Sequence, residues 1–139
     1  METNKVEKYF DLMAQSFDDY YSGEKARGFI AYLGHVIFRM PGLRRRYLAT
    51  MQLIEKSGSK TVLDVGCGNG IYSISLLKKG AKVTGIDVSQ AMIDLSIKNT
   101  NKENIDNYQF IKGDFLAYPF REKFDAIIAI GVFDYLAPQ

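Results

Sequence analysis

The nine residues VLDVGCGNG, positions 62 to 70, place three glycines at alternate positions behind an apolar run. An apolar run that passes straight into alternating glycines reads as a strand ending in a turn where side chains would obstruct the backbone. The residues after it, NGIYSISLLKK, have helical spacing and stop at Gly80, a natural left-handed cap. Strand, bare turn and helix in that order commit the chain to a sheet with crossovers packed on it.

The same alternation continues. TVLDV (61 to 65), AKVTGID (81 to 87), YQFIKGD (108 to 114) and FDAIIAI (124 to 130) are strand-like, and Ser89 caps a helix running through about Asn99. Strand, helix, strand, helix, strand predicts a parallel sheet with right-handed crossovers, an α/β fold. Ile127 and Ile128 are both apolar although they face opposite sides of their strand, which predicts a sheet covered on both faces. The periodicity before Gly58 is different. Val6, Tyr9, Phe10, Met13, Phe17 and Tyr20 recur at helical spacing, as do Phe29, Leu33, Val36, Ile37 and Met40, with Ser22 and Gly23 between them. Pro41 opens a third helix carrying Leu43, Tyr47, Leu48, Met51, Leu53 and Ile54 as far as SGS at 57 to 59. The expected organisation is a helical lead-in over 1–57 and an α/β core over 58–139.

Composition excludes several classes. A chain of 139 residues, 47% hydrophobic and 24% charged, suits one soluble globular domain. A net charge of +2 implies no general attraction to nucleic acid or anionic lipid, so neither partner is expected. No apolar run nears the roughly 18 residues of a membrane span, and METNKVEKYF lacks a signal-peptide core. The single cysteine, Cys67, excludes an internal disulfide, and the expected location is the cytoplasm. No metal site is expected.

In an open parallel sheet, ligands bind at the carboxyl ends of the strands, where the Gly66–Gly70 turn lies. Gly66 allows the sharp turn, Gly68 allows backbone to approach a ligand, and Gly70 allows the helix to start close to the strand. A dinucleotide fingerprint GxGxxG would need glycine where Ile71 stands. Asp64 argues further against a pyrophosphate, because a carboxylate there repels phosphate and attracts an ammonium or sulfonium. Asp87, seventeen residues after Gly70, closes the second strand where an acid can accept both hydroxyls of a ribose. S-adenosylmethionine carries both the cation and the ribose.

VLDVGCGNG, GIDVS, IKGDF and FDAIIAIGVFDYL resemble the four successive motifs of class I S-adenosylmethionine-dependent methyltransferases, in the family's order, across residues 58 to 137. The resemblance implies a Rossmann-like doubly wound parallel sheet with strand order 3-2-1-4 and an N-terminal helical segment. It places Asp64 and the loop Gly66, Cys67, Gly68 and Gly70 along the methionine part of the cofactor, and Asp87 on the ribose. Val88 would pack on adenine, Asp114 beside Phe115 would accept the adenine amino group, and Ile130 and Gly131 would close the site near the transferable methyl. Cys67 has no basic neighbour in sequence and reads as a small filler, not a nucleophile. Asp125 starts the fourth strand at the end away from the ligand and is given no functional role.

The expected activity is methyl transfer to an O, N or C atom of a small molecule. Tyr9, Phe10, Phe17, Tyr20 and Tyr21 line the helical segment that often shapes the acceptor pocket in the family, although such a stripe is more often core. His35 is the one candidate general base, and Arg39, Arg44, Arg45 and Arg46 read first as a solvated face. The alternatives are a binding module or incomplete enzyme without turnover, and a nicotinamide-dependent oxidoreductase. Family members usually continue beyond the fourth strand, so FDAIIAI is expected either to be followed by more sheet in a longer protein or to pair with a second copy, giving a homo-oligomer through that edge.

Overall fold

The computed structural model describes residues 3–22 and 40–132. The second expected helix, with Phe29, Leu33, Val36 and Ile37, lies outside the described residues, as do His35, Arg39 and the side chains of Phe17, Tyr20 and Tyr21. By compactness the chain divides into two units, 1–14 with 59–139 and 15–58. The first half of α1 (Thr3–Ser22) thus groups with the α/β core, and α2 (Met40–Ser57) lies in the second unit.

The core alternates as its periodicity predicts: β1 (Thr61–Val65), α3 (Ile71–Lys78), β2 (Lys82–Asp87), α4 (Gln90–Asn101), β3 (Tyr108–Lys112) and β4 (Ala126–Ala129). The sheet order is β3-β2-β1-β4, and every pairing is parallel. β1 is central, with Val62 opposite Val83 on one side and Ala126 on the other. Being paired on both edges and packed on both faces, it has no place for an exposed polar side chain, and Val62, Leu63 and Val65 are all buried. Leu63, Val65 and Ile86 form a buried cluster joined by Ile111, Phe115, Tyr118, Phe120, Phe124, Ala129 and Val132.

Local signals set the helix ends. Gly80 has φ 86°, and the Gly80 and Ala81 N–H groups donate to Leu77 and Leu76 carbonyls at 2.9 and 3.1 Å, a closed left-handed cap on α3. The Ser89 hydroxyl accepts from the Met92 N–H at 3.1 Å and donates to Asp11, whose carboxylate also accepts from the Ala91 N–H at 3.3 Å. α4 therefore starts on two caps, one local and one from α1. A Glu7–Lys112 ion pair at 2.9 Å joins α1 to the end of β3. In α2 the half-buried or buried stripe is Leu43, Tyr47, Met51 and Ile54, whose four-, four- and three-residue steps stay on one helix face. Leu48 and Leu53 fall off that face and are exposed, as are Arg44, Arg45 and Arg46.

At the amino ends of the strands, Asp125 Oδ2 accepts from the Lys60 and Thr61 N–H groups at 2.8 Å each, while its own N–H donates to the Thr61 carbonyl at 2.9 Å. That is the strand end, away from the ligand, at which the sequence places it. These bonds hold the Asp125 carboxyl below the ordinary carboxylate range.

The expectation that both faces of β4 are covered needs correction. Ile128 is 6% exposed, but Ile127 is 59% exposed, because β4 lies at the edge of the described sheet and only the Ile128 face meets the core. Ile127→Lys is expected to change unfolding free energy by no more than about 0.5 kcal/mol, whereas Ile128→Lys places an unpaired ammonium in the core and costs more than about 3 kcal/mol. Urea denaturation of the two variants checks this, and equal effects would mean that the two faces are equally covered.

Candidate cofactor site

The turn between β1 and α3 is held by β2. Gly66 and Cys67 N–H groups both donate to the Ile86 carbonyl, at 2.8 and 3.2 Å. Gly68 N–H donates to Asp87 Oδ2 at 3.0 Å. Gly66, Gly68 and Gly70 all have left-handed backbone, with φ of 67°, 53° and 81°. Two of them are also crowded. A Cβ on Gly66 would stand 2.4 Å from Val132 Cγ2, and one on Gly70 would stand 3.1 Å from Ser96 Cβ. Gly70 thus makes room for α4 more than for the strand behind it.

Two carboxylates flank this turn. Asp64 sits in β1 at 2% exposure, and its Oδ2 accepts the Ser73 hydroxyl at 2.7 Å. Burial pushes its carboxyl up to about 6 against the Ser73 hydroxyl bond, and the charge of Asp87 adds to the rise. Asp87 closes β2, with Oδ1 accepting the Ser89 N–H at 2.9 Å and Oδ2 on Gly68. Burial also raises Asp87, while the Ser89 and Gly68 N–H bonds oppose the rise. The Cys67 thiol is buried and pushed well up by burial and by both aspartates, so it holds no thiolate at neutral pH.

The remaining expected site residues lie along the same carboxyl edge. Val88 is half-buried and follows Asp87 directly. Asp114 starts the turn after β3, its Oδ1 accepting the Leu116 N–H at 3.0 Å. Phe115 is packed against the buried cluster of Leu63, Val65 and Ile86, which gives it a core contact that its motif did not reveal. Ile130 is half-buried, Gly131 is exposed with φ 73°, and Val132 covers Gly66. Sequence reasoning missed Ser73. A serine two residues inside a helix that starts on glycine, where no side chain caps the end, was the available signal. Gly85 was also missed: a Cβ there would stand 2.5 Å from the Phe110 ring and 3.1 Å from Cys67 Cβ, so its absence lets β3 and the loop close on β2. Among the described residues no group of three or more His, Cys, Asp or Glu side chains is placed to hold a metal. None of the described helices is long and apolar enough to cross a membrane.

A parallel sheet in the order 3-2-1-4, a left-handed glycine turn after β1 and an acid closing β2 together define a Rossmann-like α/β protein. A family model described as a methyltransferase domain matches residues 62–139, and the chain belongs to that family. It is the family that the four motifs resemble. The chain is 34% identical over 95 residues to a ubiquinone biosynthesis O-methyltransferase of Hydrogenovibrio crunogenus, covering 68% of this chain and 38% of that protein. It is 33% identical over 122 residues to the glycine N-methyltransferase of Rattus norvegicus, covering 82% of this chain and 41% of that one. The chain thus spans about two fifths of the length of these relatives. In fold it is similar to the magnesium protoporphyrin IX methyltransferase of Synechocystis PCC 6803 solved with bound SAM, with a TM-score of 0.76 at 21% identity, covering 99% of this chain and 65% of that one.

The buried charge generates a stability prediction. The Asp64 carboxyl titrates near 6 in the folded protein against 3.8 as the ordinary value, so the folded state holds its proton more tightly. Stability is unaffected below the unfolded value and falls as pH rises through about 6, by up to about 3 kcal/mol for two units at 1.36 kcal/mol each. Asp64→Asn is therefore expected to be more stable than the parent at pH 8 and no more stable at pH 4. Denaturant unfolding at both values measures it; a variant less stable at pH 8 would sink the assignment of a dry, strained charge.

Proposed function

We propose that the chain is the cofactor-binding part of an S-adenosylmethionine-dependent methyltransferase acting on an O, N or C atom of a small molecule. The observation that carries this is the pair of buried carboxylates on either side of the left-handed glycine turn. Burial raises the proton affinity of both Asp64 and Asp87, and the charge of Asp87 adds to the rise at Asp64, so each charge is poorly solvated. A cationic ligand relieves that arrangement and a pyrophosphate worsens it, which favours a sulfonium and ammonium over a dinucleotide.

Under this reading the backbone of the Gly66–Gly70 turn receives the amino-acid end of the cofactor, with Asp64 behind it. Asp87, oriented by the Gly68 and Ser89 N–H groups, accepts the ribose hydroxyls. Val88 packs on the adenine, Asp114 and Phe115 border it, and Ile130 and Gly131 approach the methyl. The bound cofactor supplies a methyl on a sulfonium, which is already a good leaving group. The chain's own contribution is to bind, to exclude water and to align, because in-line displacement gains most from positioning. Relatives that methylate ubiquinone precursors by name and glycine by name support a small-molecule acceptor.

Titration calorimetry is expected to show binding of S-adenosylmethionine and S-adenosylhomocysteine and none of NADH. Asp87→Ala is expected to weaken both ligands alike by about 1.5–3 kcal/mol, with the circular dichroism spectrum retained. Unchanged affinity in that variant, or NADH binding in the parent, would reject the assignment.

A further inference from the structure

α3 begins on Gly70, which has no side chain to cap the helix. The first turn of a helix leaves N–H groups without intrahelical partners, and the first intrahelical bond here is from Ile74 N–H to the Gly70 carbonyl at 2.8 Å. Asp64 supplies the missing acceptor from the neighbouring strand. Its carboxylate takes the Ser73 hydroxyl at 2.7 Å and the Ser73 N–H as well. The bonded pair is sealed: Ser73 is 0% and Asp64 2% exposed. The two residues bracket the Gly66–Gly70 turn, one at each end, so their bond closes the turn like a clasp.

Resting on the cofactor reading above, we propose that Ser73 is a positioning residue, whose hydroxyl and N–H hold the Asp64 carboxylate in one orientation, charged, at the base of the cofactor turn. Two further titratable groups face Asp64. They are the Asp87 carboxylate at the end of β2 and the Cys67 thiol in the turn, and its cross-strand partners, Gly85 and Ile128, carry no charge. Asp87 opposes ionisation of Asp64, so Ser73 is the group that favours it. A buried carboxylate that lost two donors would keep its proton to higher pH. Removing the hydroxyl removes one of the two and leaves the N–H.

The test has a part that needs no cofactor. Carboxyl-carbon NMR of the free protein follows Asp64 through its titration. Ser73→Ala is expected to move the Asp64 midpoint up by about one pH unit, and Ser73→Thr, which keeps the hydroxyl, is expected to restore it. Calorimetric titration with S-adenosylhomocysteine across pH 5.5 to 9 should then show the parent losing affinity as pH falls through about 6. In Ser73→Ala that loss moves upward by the same amount, leaving affinity at pH 9 close to the parent's. Asp64→Asn should bind at least tenfold more weakly at pH 9, with no inflection near 6. An Asp64 midpoint that Ser73→Ala leaves in place overturns the proposal, as does an affinity profile that does not follow it. If Ser73→Ala does not fold, a Ser73→Thr midpoint well away from the parent's, or Asp64→Asn binding as tightly as the parent, overturns it equally. Failure of the parent to bind the probe at any pH, with the NMR shift present, rejects the cofactor reading and leaves the positioning bond standing.

Discussion

A charge in a dry place organises this molecule. Asp64 stands in the central strand, where pairing on both edges and packing on both faces leave almost no water, and yet it carries a carboxylate. Such a group persists only if donors reach it. The reach comes from α3, whose Ser73 hydroxyl donates to it across the turn. The second carboxylate, Asp87, does from β2 what Asp64 does from β1, taking one N–H from the turn and one from its own strand's exit. The loop is thus suspended between two acids.

The α/β core was legible because its strands are short, apolar and punctuated. TVLDV and KVTGID announce themselves by β-branched runs ending in glycine or aspartate, and Ser89 and Gly80 mark helix ends by their own chemistry. The tail of β3 was harder: YQFIKGD reads as seven strand residues, but β3 ends at Lys112 and Asp114 starts a turn, its carboxylate accepting the Leu116 N–H and its carbonyl the Ala117 and Tyr118 N–H groups. Ile127 misled for a related reason. An isoleucine pair in a strand carries the same letter whether or not the sheet continues past it, and exposure depends on neighbours that a local pattern does not encode.

The glycine turn and its flanking acids were legible as residues and not as a set of bonds. Both aspartates and all three glycines could be picked out from their spacing, since each answers a need of the backbone or of charge. What spacing did not convey is that Asp64 turns toward Ser73, that Gly70 yields to Ser96, or that Gly85 yields to Phe110. These are contacts between elements distant in sequence, decided by how the helices lie on the sheet. Phe115 illustrates the limit most plainly: its motif marks it as a ligand neighbour, and its packing ties it to the core cluster.

The approach of Val132 to Gly66 has a consequence for how this site is able to change through descent. Glycine at 66 is required twice, once by a left-handed φ of 67° and once by a methyl group that would sit 2.4 Å from any Cβ. Relieving one requirement leaves the other. Trimming residue 132 would not admit alanine at 66, and relaxing the turn would not make space beside valine. The two positions form a lock with two bolts, so that single steps are closed off at the turn while exposed positions such as Leu116 stay open to replacement.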